Sequence, residues 1–120
     1  MGSRKLSAAV IVGGEKILLI KRKYDPGKGM WCAPGGFVNK KKNESVEDCA
    51  IRETKEETNI DIEIVRRIEI VKRYDNKKRR EEEIHIFLAK PLSEEIITGD
   101  EVLDVRWFDL REMPLMASSI

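Results

Sequence analysis

Apolar residues recur along the chain at two spacings, which divide it into strand-like runs and one helix-like stretch. Short or alternating apolar runs bounded by turn residues are typical of β-strands. Here they cover residues 6–12, 17–22, 31–33, 37–38, 60–71, 83–88 and 102–108. The turn sequences at 13–16 and 75–78 predict two hairpins. The order strand, strand, strand, helix, hairpin, strand, short helix indicates an α+β fold with a mixed sheet.

Three local irregularities are expected. Arg66-Arg67 interrupts the alternation of its run, which predicts a bulge or a break. Residues 91–99 read as a loop in which Ser93-Glu94-Glu95 favours a short helical turn. After the last strand, the chain has room for a short terminal helix before Ile120.

Residues 45–59 read as an α-helix, since no Gly or Pro falls between Ser45 and Asn59. Ser45 is a good N-cap, and Asp48 stands three residues later, where the acid of a capping box belongs. Asn59 adopts the left-handed conformation that ends helices more readily than most residues. The sequence therefore predicts both ends of this helix.

The apolar stripe of this helix turns acidic after two turns. Val46 and Ala50 define the stripe, and at about 100° per residue it continues into Glu53 and Glu57, with Glu56 beside them. Three carboxylates on a face directed toward the core repel one another and resist burial. A hard divalent cation such as Mg²⁺ or Mn²⁺ would resolve the conflict. The alternative is an ordinary amphipathic helix whose acids face solvent.

A tight turn, Pro34-Gly35-Gly36, precedes the helix, and its glycines let the backbone approach a ligand closely. From Gly36 onward the sequence resembles the Nudix box, G-x5-E-x7-R-E-U-x-E-E-x-G-U, in which U is aliphatic. The matching residues are Gly36, Glu44, Arg52, Glu53, Glu56, Glu57 and Ile60. The chain is thus similar to the Nudix (MutT-like) hydrolases, and the similarity extends over nearly its whole length.

The match departs from the family pattern in three ways. Seven residues, not five, separate Gly36 from Glu44, because Lys40-Lys41-Lys42 lengthens the loop. Added loop length costs little free energy. Asn59 replaces the late Gly and is the next best left-handed cap. Thr54 replaces an aliphatic residue, which predicts a weaker contact between helix and sheet.

The resemblance implies a single Nudix domain over residues 1–120, an α/β/α sandwich around a mixed sheet. It also implies a metal-dependent hydrolase that cleaves the diphosphate linkage of a nucleoside di- or triphosphate derivative. Mg²⁺ or Mn²⁺ would be the cofactor. Its implied ligands are the carbonyl of Gly36 and the carboxylates of Glu53, Glu56, Glu57 and Glu101.

Further roles follow from the same resemblance. Either Glu53 or Glu101 would take the proton from the attacking water, Arg52 would hold the carboxylates in place, and Glu44 would support the loop. Substrate binding would involve Arg22, Trp31, Gly35 and Gly36. For Trp31 a packing role is the alternative, and Arg22 could instead be a solvated end of its strand.

The substrate is less constrained than the reaction. ADP-ribose enzymes of the family often carry a proline about fifteen residues past the box, and residues 73–77 contain none. The short chain also suits a MutT-like nucleoside triphosphate pyrophosphohydrolase, so we place that substrate first and ADP-ribose second. A non-catalytic Nudix-fold nucleotide-binding module is a third hypothesis, opposed by the retained carboxylates.

Composition excludes several other classes. With 120 residues, 41% hydrophobic and 38% charged, the chain has the composition of one globular domain. A net charge of +1 gives no general attraction to nucleic acid or membrane, although Lys40–Lys42 and Lys77–Arg80 are basic. Cys32 and Cys49 read as reduced thiols, so we expect a cytoplasmic location. The sequence leaves both a monomer and a homodimer open.

The single histidine and the acidic run before it invite a functional interpretation. A lone His in a strand is more often a packed wall residue, so we do not expect His85 to be the general base. Of Glu81, Glu82 and Glu83, we expect Glu83, nearest the strand, to be the one that points inward.

Overall fold

Nine elements of regular structure make up the computed structural model, which describes residues 3–116. The strands are β1 (Arg4–Gly13), β2 (Lys16–Arg22), β3 (Trp31–Cys32), β4 (Gly35–Phe37), β5 (Ile62–Asp75), β6 (Arg80–Pro91) and β7 (Val102–Asp109). One turn of 3-10 helix spans Lys40–Lys42, and one α-helix, α1, spans Val46–Thr58. None of the helices in this part of the chain is long and apolar enough to cross a membrane.

The seven strands form one mixed sheet in the order β3-β2-β1-β6-β5. β4 also pairs with β1, and β7 with β2. β1 and β6 run parallel, whereas the other pairs are antiparallel. The predicted α+β class with a mixed sheet is therefore confirmed, and α1 is the only α-helix within residues 3–116.

β1 and β2 separate soon after their hairpin. They pair only at Val12–Ile17 and Gly13–Lys16, and further along, β4 takes the place of β2 beside β1. β2 pairs instead with β7 and β3. This separation brings the glycine turn at the start of β4 close to the middle of the sheet.

The α1 helix begins and ends where the sequence predicts. The Ser45 side chain accepts a hydrogen bond from the backbone N–H of Asp48 at 3.0 Å. Asn59 has φ of 66°, and its backbone N–H donates to Lys55 O at 2.9 Å. The buried residues of α1 are Cys49, Ala50, Thr54 and Thr58. Ala50 joins the main core with Phe87, Leu18 and Ile11.

The bulge expected at Arg66-Arg67 is confirmed, because the β5–β6 register shifts on both sides of this pair. The helical turn expected at Ser93-Glu94-Glu95 is wrong. That segment has no regular secondary structure, because it is hydrogen-bonded to the residues that follow α1 and precede β5. Ser93 Oγ accepts from Asp61 N at 2.9 Å, and Glu95 O accepts from Asn59 Nδ2 at 3.0 Å.

The terminal helix is absent from the described part of its segment. Residues 110–112 form a turn, and Met116 makes an isolated parallel bridge with Trp31. The rest of the predicted helix, residues 117–120, lies outside the described residues.

Candidate active site

The glycine turn lies directly against β1, which explains the residue type at both positions. Gly35 and Gly36 pair with Ala8 and Ser7. A Cβ on Gly35 would overlap the carbonyl oxygen of Ser7 and come within 2.9 Å of the Ala8 Cα. A Cβ on Gly36 would instead overlap the carboxylate of Glu53. The turn is therefore packed between β1 and the acidic face of α1.

Glu57 extends from the last turn of α1 to this glycine turn. Its Oε1 accepts a hydrogen bond from the backbone N–H of Gly35 at 3.1 Å. Burial raises the pKa of Glu57 to about 8, and repulsion by the Glu53 carboxylate adds to the rise. Burial also raises the pKa of Glu53, although the nearby Arg52 opposes the change. Arg52 thus compensates Glu53 in part, whereas Glu57 has only one backbone donor to compensate it.

Arg52 is the centre of an ion-pair network at the edge of this site. Its Nε and Nη2 donate to the two oxygens of Glu44 at 2.7 and 3.0 Å, a bidentate pair. Nη1 donates to both Glu53 and Glu56 at 2.9 Å, and Nη2 also reaches the carbonyl of Phe37 at 3.1 Å. The hydrogen bond from Arg52 holds the pKa of Glu44 below its usual range. One guanidinium thus fixes α1 to β4.

Glu44 also anchors the lengthened loop, since its Oε1 accepts from the backbone N–H of Asn39 at 3.0 Å. The three lysines of the insertion form the 3-10 turn, with Asn39 as its N-cap. The Asn43 residue that ends it has φ of 54°. The inserted residues are thus accommodated between Asn39 and Glu44, and the acidic face of α1 still lies against the glycine turn.

A cleft of about 860 Å³ opens over the glycine turn. Glu57, Gly35 and Gly36 lie in its lining, together with Arg22 at the end of β2 and Glu101 just before β7. Arg22 is held in place by hydrogen bonds from Nε to Pro26 O at 2.6 Å and from Nη1 to Cys32 Sγ at 3.7 Å. The structure therefore brings five of the predicted site residues to one cleft.

The other five predicted site residues do not belong to the described lining of the cleft: Trp31, Glu44, Arg52, Glu53 and Glu56. Trp31 is not among the described residues that line the cleft, and its ring packs edge-on against Phe108 with centroids 4.8 Å apart. This geometry supports the packing alternative. Glu56 is also outside the lining, and its side chain is 56% exposed.

The donor set fits a divalent cation in its chemistry, although the side chains do not converge as ligands. Within residues 3–116, no three His, Cys, Asp or Glu side chains form a metal-binding group. Arg52 draws Glu53 and Glu56 toward itself. A cation would compensate the buried charge of Glu57, which the protein leaves unbalanced. Oxygen ligands of this kind suit Mg²⁺ and Mn²⁺.

The acidic run before His85 contributes a different residue from the one expected. Glu83 is only partly buried, and its Oε1 is 3.1 Å from Nε2 of the buried His85. Glu82 is the buried residue, 3% exposed, and it lines the cleft with Arg73. The alternation of β6 could have revealed this, since Glu82 shares its face with Ile84.

Comparison with known proteins identifies the family. A protein-family model described as the NUDIX domain matches residues 3–119. The chain belongs to the Nudix hydrolase family. This Nudix hydrolase acts on diphosphate linkages, as predicted, and the family generally uses divalent metal ions.

Among three similar proteins of the Nudix family, two have names that give different substrates. The chain is 35% identical over 117 residues to the ADP-ribose pyrophosphatase of Methanocaldococcus jannaschii, and the alignment covers 93% of this chain and 68% of that protein. It is 29% identical over 112 residues to the oxidized purine nucleoside triphosphate hydrolase of Danio rerio, covering 93% and 70%. The crystal structure of a MutT NUDIX hydrolase from Burkholderia pseudomallei superposes with a TM-score of 0.85 at 31% identity, covering 99% and 93%.

Proposed function

We propose that this Nudix hydrolase cleaves the diphosphate of ADP-ribose or a closely related nucleoside diphosphate sugar, giving a nucleoside monophosphate and a sugar phosphate. The observation that carries this proposal is the position of Glu57 within the cleft. The lining includes Arg22 and Pro26, from the end of β2 and the loop after it, and also Arg73 and Glu82, from β5 and β6. In the sheet, β2 and β6 lie on opposite sides of β1, against which the glycine turn is packed. A diphosphate bound at Glu57 would have room for a substituent at each end.

A nucleoside triphosphate is the second candidate, favoured by the similarity to the Danio rerio enzyme. Such a substrate carries a bulky group on only one side of the linkage that is cleaved. It would leave one side of the cleft empty. The two-sided cleft and the similarity to an ADP-ribose pyrophosphatase therefore reverse the order of substrates that the sequence favoured.

Glu57, Glu53, Glu56 and the Gly36 carbonyl would hold Mg²⁺ or Mn²⁺. When bound, the cation neutralises charge that develops on the diphosphate oxygens during hydrolysis. Arg52 would act as a positioning residue, since its bonds fix Glu53 and Glu56 relative to the glycine turn. Arg22, held by Pro26 and Cys32, would contribute positive charge toward the substrate phosphates.

We assign to Glu53 the role of the general base, which removes a proton from the attacking water. Its carboxylate lies against Gly36, which lines the cleft. Burial raises the pKa of Glu53, which makes its carboxylate a stronger base. Glu101 is exposed at the edge of the same cleft and is the alternative base or a further ligand. A cytoplasmic location and a homodimer stay predictions from the sequence.

A substrate panel tests this function. The protein would be incubated with ADP-ribose, ATP and dGTP in Mg²⁺ and then in Mn²⁺, with nucleoside monophosphate release as the readout. We expect the highest kcat/KM for ADP-ribose. A higher kcat/KM for a triphosphate would establish the second candidate. Tight binding of ADP-ribose without turnover in either metal would establish the non-catalytic module.

A further inference from the structure

Arg73 and Glu82 form an ion pair in the wall of the cleft, far from the carboxylates of α1. The two residues face each other across β5 and β6. Arg73 Nε donates to Glu82 Oε1 at 2.8 Å. The Glu82 side chain is only 4% exposed, whereas that of Arg73 is 39% exposed. Both residues line the cleft.

The strand register separates this ion pair from the glycine turn by about the length of one nucleoside. Glu82 lies beside Arg4 of β1, and Gly35 lies beside Ala8 of the same strand. Four residues at about 3.3 Å per residue give a separation on the order of 13 Å along the strand. Leu6 and Ile84 form an apolar floor between the two positions. An apolar floor that ends in a polar edge suits a flat aromatic ligand.

The pair leaves polar atoms available to such a ligand. Within residues 3–116, the structure records no hydrogen bond for Glu82 Oε2 or for the two Nη atoms of Arg73. An ion pair with one buried member gives little net stability, because desolvation of the buried charge offsets the attraction. The presence of this pair in the wall of a substrate cleft is explained if the Nη atoms of Arg73 and Oε2 of Glu82 bind substrate.

We infer that Arg73 and Glu82 together recognise the base of the substrate and select adenine. This inference rests on the proposed function. An Nη–H donor beside a carboxylate acceptor matches the N7 acceptor and N6 amino donor of adenine, as the amide of Asn or Gln does in other proteins. Guanine and hypoxanthine present a carbonyl oxygen at position 6. That oxygen would meet the Glu82 carboxylate with no proton between them.

The test compares ADP-ribose with inosine diphosphate ribose, which differ only in the base. We expect the wild type to favour ADP-ribose by about tenfold in kcat/KM, the usual effect of one base contact. The preference should reside mainly in KM, since the contact is remote from the reacting atoms. In Glu82→Gln the ratio should fall to about one, because the amide can donate to the carbonyl of hypoxanthine. Arg73→Met should raise KM for both compounds alike, because adenine and hypoxanthine share the N7 acceptor, and thermal unfolding would show that both variants fold.

Glu81→Gln is the matched control, since Glu81 is an exposed neighbour on the opposite face of β6. It should keep the wild-type ratio. An equal rate on both compounds in the wild type, or an unchanged ratio in Glu82→Gln, would overturn the inference. If only triphosphates are hydrolysed, the proposed substrate is wrong. The base preference would then be measured in the same way with ATP and ITP.

Discussion

The Glu57 carboxylate accepts a hydrogen bond from the backbone N–H of Gly35 at 3.1 Å, and this contact joins the helix to the glycine turn. Since Gly35 lies against Ala8 of β1, the contact also fixes Glu57 relative to the centre of the sheet. An acid so placed is withdrawn from solvent with only one backbone donor to compensate it. The cleft above it is therefore the point where a cation and a diphosphate would lower the free energy most.

The first prediction concerns pH and the stability of the metal-free protein. The pKa of Glu57 rises from 4.5 to about 8 in the folded state, so the folded chain retains a proton that the unfolded chain releases. The stability from this proton is complete below pH 4.5 and is lost as pH rises through about 8. In EDTA, the melting temperature should fall across this range. Added Mg²⁺ should restore it at high pH, because the bound cation stabilises the folded state.

Glu57→Gln should remove most of this pH dependence, because an amide does not titrate there. Glu47→Gln is the control, since Glu47 is an exposed residue of the same helix. A Glu57→Gln melting curve that depends on pH as strongly as the wild type would show that another group is responsible.

The two glycines of the turn should respond differently to alanine. In Gly35→Ala the added Cβ meets rigid backbone of Ser7 and Ala8, so the free energy of unfolding should fall by about 3 kcal/mol. In Gly36→Ala it meets the end of the Glu53 side chain, which can move. That variant should keep its stability but lose activity, because Glu53 is displaced. Urea unfolding and ADP-ribose turnover on both variants measure the contrast, and equal losses of stability would contradict it.

The two buried threonines of α1 should also respond with opposite signs. Thr54 Oγ1 is buried and has no hydrogen-bond partner within the described residues. Thr54→Val, which restores the aliphatic type of the family pattern, should raise the free energy of unfolding by about 1 kcal/mol.

Thr58 Oγ1, in contrast, donates to Thr54 O at 2.7 Å and accepts from Ile60 N at 3.0 Å. Thr58→Val should lower the free energy of unfolding by about 1–3 kcal/mol, because the Ile60 N–H loses its partner. Urea unfolding of both variants measures the two changes. If Thr54→Val destabilised the protein as much as Thr58→Val, the unpaired hydroxyl would not be a structural cost.

The parts of the site that depend on local sequence could be predicted. Ser45 and Asn59 mark the ends of α1 through side-chain and backbone chemistry within a few residues. The acidic face of the helix follows from a spacing of three and four residues. The family pattern then identified Arg52 and Glu44, whose bidentate pair the structure contains.

The parts of the site and fold that depend on contacts between distant residues could not be predicted from the sequence. Trp31 meets Phe108 because β3 and β7 both pair with β2, a relation that no local pattern contains. The segment at Ser93 forms no helical turn because Asp61 and Asn59 bind it, which overrides its weak helical preference. The partner of Glu82 depends on the register of β5 with β6, and two bulges shift that register.

The rate of ADP-ribose hydrolysis in saturating Mg²⁺ tests most directly whether Glu57 holds the catalytic cation. It would be measured for the wild type, Glu57→Gln and Glu47→Gln, with AMP release as the readout. We expect Glu57→Gln to lose at least about 100-fold in kcat, the usual effect of removing one electrostatic group from such a site. Glu47→Gln should match the wild type. A Glu57→Gln rate equal to that of Glu47→Gln would contradict the account.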